Sequence, residues 1–127
     1  TPLFTVVVRK SYGLGAQAMC GGSALVGFMT VAWPTAEFAG MNIEGAVKLG
    51  FRPVLAKIED PEERVAEFSR RVDAAYETAR AVNAGSGGGI DDVIDPAETR
   101  RWIANSLRRL PPTPPREGKK YPYIDTW

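Results

Sequence analysis

The chain of 127 residues contains no histidine and only one cysteine, Cys20. Without histidine, Ser-His-Asp and Cys-His catalysis within this chain are excluded, and so are metal sites that use imidazole ligands. One cysteine cannot form an internal disulfide framework and fits a reducing compartment, so we expect a cytoplasmic protein. Because the sequence offers no base to activate it, we interpret Cys20 as a small buried apolar side chain rather than a nucleophile.

Long apolar runs and an excess of charge of one sign are also lacking. No apolar segment approaches the roughly 20 residues of a membrane span, and Arg9 and Lys10 interrupt the first apolar stretch, so we expect neither a membrane segment nor a secretory signal. The 16 basic and 15 acidic residues leave a net charge of +1. We therefore expect no nucleic acid and no membrane surface as partner.

The apolar residues that are present predict an α/β fold. Segment 3–9 is β-branched and apolar, as is typical of a buried strand in a parallel sheet, and such a strand needs neighbours that this short chain barely supplies. Further strands are predicted over 27–33 and 37–41. Helices are predicted over 16–20, ended by the glycines that follow, and over 43–49. This order of elements favours an α/β fold that is part of a larger assembly.

The second half is predicted to be mostly helical. Asp60-Pro61 and Asp95-Pro96 each combine a capping aspartate with proline at the first helical position, and the two helices should run to about residues 83 and 109. The glycine-rich segment 85–89 predicts a flexible break, and the proline-rich tail 111–127 predicts an extended segment. The first long helix carries an apolar stripe that packs either on its own domain or on a second subunit: Val65, Phe68, Val72, Ala75, Ala79 and Val82.

The segment 12–18, Tyr-Gly-Leu-Gly-Ala-Gln-Ala, lies between a predicted strand and a predicted helix. Glycines let backbone N–H groups approach a ligand, and a helix start adds a positive dipole. Three interpretations stay open: a dinucleotide-binding fingerprint, an oxyanion hole and a tight turn without ligand. The fingerprint requires an acidic residue at the end of the next strand, where this chain has Trp33 and Pro34.

Neither the clustered acids nor the clustered arginines form a recognisable site. Asp91, Asp92 and Asp95 do not have the spacing of a known metal-binding loop, so we expect no metal in this chain. Four arginines of the last helix offer charge for the phosphates of coenzyme A, although a solvated or interface face is more typical of such a pattern: Arg100, Arg101, Arg108 and Arg109.

Four segments, in order, resemble the β subunits of biotin-dependent acyl-CoA carboxylases, which carry the carboxyltransferase. Arg-Lys-Ser-Tyr-Gly at 9–13 is similar to the family's RK-x-YG loop, and Ala-Trp-Pro-Thr-Ala-Glu at 32–37 to its AWPTAE segment. Gly-Met at 40–41 with Gly-Ala-Val at 45–47 resembles its MG…GAV continuation. Residues 90–101 resemble its IDDVIDP…TR ending, so the resemblance covers most of residues 1–110.

The resemblance implies a crotonase-like (ClpP/crotonase) fold, with residues 1–110 as the C-terminal part of the carboxyltransferase C-domain and 111–127 as an extended tail. It implies transfer of CO₂ from carboxybiotin, held on a carrier protein, to the α-carbon of an acyl-CoA. A biotin-dependent acyl-CoA decarboxylase is one alternative, and a non-catalytic dinucleotide-binding or assembly module is another. The implied partners are the acyl-CoA, a biotin carrier or biotin carboxylase subunit, the remaining part of the carboxyltransferase subunit, and further copies in a homo-oligomer, a hexamer by resemblance.

The resemblance also implies which residues form the site. The backbone N–H groups of Gly13, Leu14, Gly15 and Ala16 would form an oxyanion hole for the ureido oxygen of biotin. Substrate binding is implied for Gln17, Trp33, Pro34 and Thr35. Gln17 stands where many propionyl-type members carry an acid, which disfavours a propionyl or acetyl substrate. We expect valine at position 15 to crowd this loop and to reduce carboxyl transfer.

Overall fold

The computed structural model describes residues 2–20 and 27–112 and has the mixed α/β architecture that the sequence predicts. The predicted end of the first helix after residue 20 and most of the predicted extended tail lie outside the described residues. In chain order the elements are β1 (Phe4–Val7), β2 (Lys10–Tyr12), α1 (Gly13–Met19), β3 (Met29–Ala32), β4 (Glu37–Ala39), α2 (Ile43–Gly50), α3 (Arg52–Leu55), α4 (Pro61–Ala79), α5 (Ala81–Ser86), β5 (Asp92–Val93), a 3₁₀ turn (Pro96–Glu98) and α6 (Thr99–Arg108).

The strands form two small parallel sheets, one ordered β1-β3-β5 and the other pairing β2 with β4. The bend between β1 and β2 lies beside the bend between β3 and β4. Backbone bonds join the two bends: Trp33 N–H donates to the Val7 carbonyl over 2.9 Å, and Glu37 N–H donates to the Arg9 carbonyl over 2.7 Å. The second sheet is therefore held in register with the first.

The predicted long strand over 3–9 is shorter and less buried than expected. It ends at Val7, and within β1 only Val7 is buried. β3 pairs with one edge of β1, in the register Val6 to Val31, and no other strand in the described part of the chain pairs with its second edge. The prediction of a fully buried strand is wrong for this structure, because a strand paired on one edge only stays half-covered.

The fully buried strand is β3, whose four residues, Met29–Ala32, lie between two apolar clusters. One cluster contains Val7, Ala32, Ala36, Ala81 and Ile90, with Phe38 and Val93 packed against it. The other contains Met29, Val31 and Ile94, covered by Phe4, Val6, Trp33, Trp102 and Ile103. Side chains that alternate across β3 fill both clusters, so this strand organises the core.

The long helix predicted from residue 61 to about 83 ends earlier, at Ala79. Arg80 is extended, with φ −57° and ψ 144°, and the next N–H, that of Ala81, donates to the Ala36 carbonyl over 2.9 Å. This bond to the bend before β4 takes the place of continued helix. Helix α5 then runs to Ser86, so the flexible break predicted over 85–89 begins as helix and ends in a turn where Gly88 has φ +74°.

The apolar stripe of α4 packs on its own domain only in part. Phe68 and Val72 are half-buried and Ala79 is buried, whereas Val65 and Val82 are each 64% exposed. The alternative of a subunit interface on this face stays a prediction. None of the helices between residues 2 and 112, outside the gap at 21–26, is long and apolar enough to span a bilayer.

Candidate active site

The glycine motif lies where β2 turns directly into α1. Tyr12 is the last residue of β2 and the N-cap of α1, and the helix begins at Gly13 rather than at Ala16 as predicted. Gly13 has φ +61°, and a Cβ there would lie 3.1 Å from the Gly40 carbonyl oxygen. Both features favour glycine, because other residues rarely adopt this conformation and an added Cβ would be crowded by Gly40.

The N-terminal turn of α1 leaves backbone donors without helical acceptors. In the i to i−4 pattern, Ala16 is the first residue whose N–H has an acceptor in the helix, the Tyr12 carbonyl, so the N–H groups of Gly13, Leu14 and Gly15 precede the intrahelical bonds. The Tyr12 side chain makes no capping bond to them. Three of the four predicted donors are therefore not used by the helix itself.

Two grooves flank α1. One, of about 490 Å³, is lined by Ser11, Gly13, Leu14, Ala16, Gln17, Cys20, Phe38, Ala39, Gly40 and Gly89. The other, of about 580 Å³, lies along β1 and β2 and includes Gly15, Ala16, Met19 and Cys20. The first groove brings together Gly13, Leu14, Ala16 and Gln17 of the predicted site, and none of the described residues that line it is charged.

The other predicted substrate-binding residues form the bend between β3 and β4. The Trp33 indole Nε1 donates to Thr99 Oγ1 over 3.0 Å, and its ring packs on the cluster around Val31. Thr35 Oγ1 donates to the Val8 carbonyl over 2.7 Å, which ties the two bends together, and Pro34 is exposed. None of the three lines the groove that contains Gln17, so their substrate role stays a prediction.

A polar group that we call the Tyr–Glu cluster lies beside the motif and consists of Lys10, Tyr12, Glu37, Glu44 and Tyr76. The Tyr12 hydroxyl donates to Glu37 Oε2 over 2.5 Å, and the Tyr76 hydroxyl donates to Glu44 Oε1 over 2.7 Å. The Lys10 ammonium lies 5.6 Å from the centroid of the Tyr12 ring and 6.0 Å from that of Tyr76.

Sequence reasoning missed this cluster as a unit. The sequence did contain one signal, because Lys10 and Tyr12 are two residues apart on one strand and therefore lie on the same face of the sheet. Their acidic partner could not be identified in this way, because Glu37 reaches them through the pairing of two strands that are distant in sequence. Lys10 and Tyr12 belong to one of the segments that resemble the carboxylase family, and Glu37 belongs to another. The structure brings those two segments together through parallel strands.

The pKa values of Tyr12, Tyr76 and Glu44 are shifted within the cluster. Burial and the hydrogen bond to Glu37 raise the pKa of Tyr12 well above the usual tyrosine value. The bond to Glu44 raises the pKa of Tyr76, and the same bond lowers the pKa of Glu44. Both phenols are therefore neutral donors at neutral pH.

Alkaline pH should destabilise the fold through these two phenols. A phenol whose pKa is raised by folding contributes stability that is complete below the usual pKa of about 10 and is lost as the pH rises beyond it. We expect the urea midpoint of unfolding to fall between about pH 9 and about pH 12. The fall should be shallower for Tyr12→Phe than for Tyr76→Phe, because the pKa of Tyr12 is raised further. Equal slopes in wild type and Tyr12→Phe would contradict this assignment.

The aspartates near the C-terminal end of the described chain have separate structural roles. Asp91 Oδ2 accepts the Thr30 N–H over 2.7 Å, and Asp95 Oδ1 caps the Ala97 N–H over 2.8 Å. No three acidic or cysteine side chains among residues 2–20 and 27–112 gather as a metal site would require. Of the arginines on α6, Arg101 pairs with Glu98 and Arg108 donates to Asn105. Cys20 is buried, as predicted, with a free thiol.

Comparison with known proteins bears on this geometry. The Carboxyl transferase domain family matches residues 1–117. The methylmalonyl-CoA carboxyltransferase 12S subunit of Propionibacterium freudenreichii subsp. shermanii is 42% identical over 106 residues, which are 84% of this chain and 20% of that protein. The methylmalonyl-CoA decarboxylase subunit alpha of Propionigenium modestum is 34% identical over 123 residues, covering 94% of this chain and 21% of that protein.

A solved structure gives the same result for the fold. The transcarboxylase 12S crystal structure, a hexamer assembly with methylmalonyl-coenzyme A and methylmalonic acid bound, matches with a TM-score of 0.75 and 34% sequence identity, over 97% of this chain and 24% of that chain. The predicted crotonase-like α/β fold is confirmed. The chain spans 20% of the length of the 12S subunit that it matches. It belongs to the carboxyl transferase domain family of the biotin-dependent acyl-CoA carboxylases.

Proposed function

We propose that this chain supplies the biotin-side oxyanion hole of a carboxyltransferase that moves CO₂ from carboxybiotin to the α-carbon of an acyl-CoA. The observation that carries the proposal is the junction at Gly13, where a positive φ turns a strand directly into a helix. The junction leaves the N–H groups of Gly13, Leu14 and Gly15 unused by the helix. Gly13 and Leu14 line the groove of about 490 Å³, Gly15 lines the groove along β1 and β2, and Ala16, the fourth predicted member, lines both.

The lining of this groove suits a biotin ring. The volume of about 490 Å³ is in the range of small-molecule sites. Phe38, Ala39 and the exposed Leu14 offer apolar surface for the rings, while backbone N–H groups and Gln17 offer donors for a ureido oxygen. When bound, carboxybiotin supplies the CO₂. This chain contributes fixed donors, and the loss of one such donor typically costs about 100- to 1000-fold in rate.

The chemistry assigned to this chain needs no acidic or basic side chain. Among the described residues, the groove lining that carries Gly13 and Gln17 has no charged side chain, and the sequence has no histidine. Backbone N–H groups stabilise a developing negative oxygen without any proton transfer of their own. The proton that leaves the α-carbon must accordingly go to a group outside this lining.

The proposal includes partners, because the chain spans 20% of the 12S subunit it resembles. We place residues 1–110 in the C-terminal part of a carboxyltransferase C-domain, with the remaining part of the subunit completing the acyl-CoA site. The second edge of β1, unpaired by any described strand, gives that part a surface to adjoin. The similar transcarboxylase 12S structure is a hexamer assembly, which supports a homo-oligomer here.

A related decarboxylase is the second candidate. The specific observation in its favour is the similarity to the alpha subunit of a methylmalonyl-CoA decarboxylase, which extends over 94% of this chain. The same backbone donors would serve removal of CO₂ from an acyl-CoA onto biotin. Co-purification of the subunit with a biotin carboxylase would favour the carboxylase. If no biotin carboxylase co-purifies and the subunit still decarboxylates acyl-CoA, the decarboxylase is favoured.

The test is biocytin-dependent decarboxylation of malonyl-CoA and methylmalonyl-CoA, the reverse reaction. It is run on this chain alone and on the full-length subunit that carries it. Activity of the full-length subunit alone supports the proposal and the need for the remaining part. Inactivity of an assembled sample with these and with longer and branched acyl-CoAs would overturn it and favour a binding or assembly module.

A further inference from the structure

We infer that the hydrogen bond between Tyr12 and Glu37 positions the backbone donors at the start of α1, which makes both side chains positioning residues for the proposed reaction. The inference rests on the proposed oxyanion hole. It assigns a function to a contact that links two segments separated by 25 residues.

The need for such a restraint follows from Gly13 itself. Glycine populates positive and negative φ about equally, so the backbone at this position has little intrinsic preference for the observed φ of +61°. The peptide planes of Leu14 and Gly15 follow directly after this joint. The N–H groups of Leu14 and Gly15 keep a fixed direction only if the residues on either side of Gly13 are held in place.

Tyr12 is the residue that holds the N-terminal side. It is extended, with φ −116° and ψ 130°, and its side chain does not cap the helix. Its hydroxyl instead reaches Glu37 Oε2 at 2.5 Å from a half-buried position. A phenol bonded to a carboxylate is a charge-assisted hydrogen bond, stronger and more directional than a neutral one.

Glu37 is a fixed anchor rather than a mobile surface acid. Its backbone N–H donates to the Arg9 carbonyl over 2.7 Å, and it forms an antiparallel bridge with Arg80. It also pairs with Lys10 in the parallel register of β2 and β4. Because the backbone of Glu37 is held from both sides, its side chain is a fixed acceptor for the Tyr12 hydroxyl. The hydrogen bond therefore restrains Tyr12, and with it the backbone at Gly13.

The cluster contains its own matched control. Tyr76 and Glu44 form the same kind of bond at 2.7 Å, between α4 and α2, with Lys10 beside the Tyr76 ring as well. Neither residue adjoins α1 in sequence, and neither lines the groove that contains Gly13. Loss of this second bond should disturb the cluster without releasing the donors.

The experiment compares Tyr12→Phe, Glu37→Ala and Glu37→Gln with Tyr76→Phe in the full-length subunit, assayed by biocytin-dependent decarboxylation. We expect kcat to fall about 10- to 100-fold in Tyr12→Phe and Glu37→Ala, the range set by one hydrogen bond to a charged group. The KM for acyl-CoA should not change. Glu37→Gln, which keeps a carbonyl acceptor, should recover most of the lost kcat, and Tyr76→Phe should stay within about twofold of wild type.

The outcomes separate a positioning role from a structural one. An active wild type with Tyr12→Phe at full kcat would overturn the inference and leave the proposed function standing. Equal losses in Tyr12→Phe and Tyr76→Phe, or no recovery in Glu37→Gln, would also overturn it by showing general destabilisation. If Tyr12→Phe does not fold, the difference in kcat between Glu37→Ala and Glu37→Gln decides between a positioning and a structural role. An inactive wild type would overturn the proposed function as well.

Discussion

Alanine at position 13 should reduce biocytin-dependent decarboxylation by about 100- to 1000-fold, the effect of losing one oxyanion donor. Gly13 has φ +61°, and an added Cβ would lie 3.1 Å from the Gly40 carbonyl oxygen. The left-handed conformation alone costs an L-residue roughly 1–2 kcal/mol. A change of φ relieves this strain, and that change redirects the N–H groups of Leu14 and Gly15.

The measurement pairs kcat in the full-length subunit with thermal unfolding. Gly50→Ala is the control, because it replaces a glycine that faces open space at a helix end and lies outside the groove. It should leave kcat within about twofold, and removal of a helical glycine should stabilise the protein by a few tenths of a kcal/mol up to about 1 kcal/mol. Undiminished kcat in a folded Gly13→Ala protein would show that the donors do not act on the reacting oxygen.

Local chemistry in the sequence was sufficient to place the start of α4 and of the 3₁₀ turn before α6. Asp60 caps α4 and Asp95 caps the turn before α6, as predicted, because a capping carboxylate and a proline act within a few residues. The end of α4 could not be predicted, since it depends on the bond from Ala81 to Ala36, distant in sequence. β5, only two residues long, is a strand because it pairs with β3, and no pattern of two residues indicates that.

The same limit applies to the site. The glycines of the motif predicted a tight connection between strand and helix, with or without a ligand, and the structure has a strand-to-helix junction there. The sequence could not tell which glycine is constrained. The expected crowding at Gly15 is wrong, because no atom of the described residues beyond its own stretch of helix lies within 4 Å of an added Cβ there, whereas Gly13 is confined by Gly40. That confinement arises from the parallel pairing of β2 with β4, a non-local contact.

Valine at position 15 should therefore reduce activity while leaving the fold intact. Its side chain would extend into space that the described residues leave open, and valine is a slightly better helix residue than glycine, so thermal stability should be unchanged or slightly higher. If the reacting oxygen approaches the Gly15 N–H, an isopropyl group beside it obstructs that approach. We expect kcat/KM for biocytin to fall at least about 100-fold, with Gly15→Ala intermediate between valine and wild type.

The two glycine variants test two different requirements of the site. Gly13→Ala alters the direction of the donor N–H groups, whereas Gly15→Val alters only the space in front of them. Thermal unfolding should distinguish the two variants, because only Gly13→Ala should lower the midpoint of unfolding. Full activity of Gly15→Val would show that the ligand does not approach Gly15. The donors would then be the N–H groups of Gly13 and Leu14, two residues that line the same groove as Gln17 and Phe38. In that case Gln17→Ala should raise the KM for biocytin, since its side chain borders the remaining space.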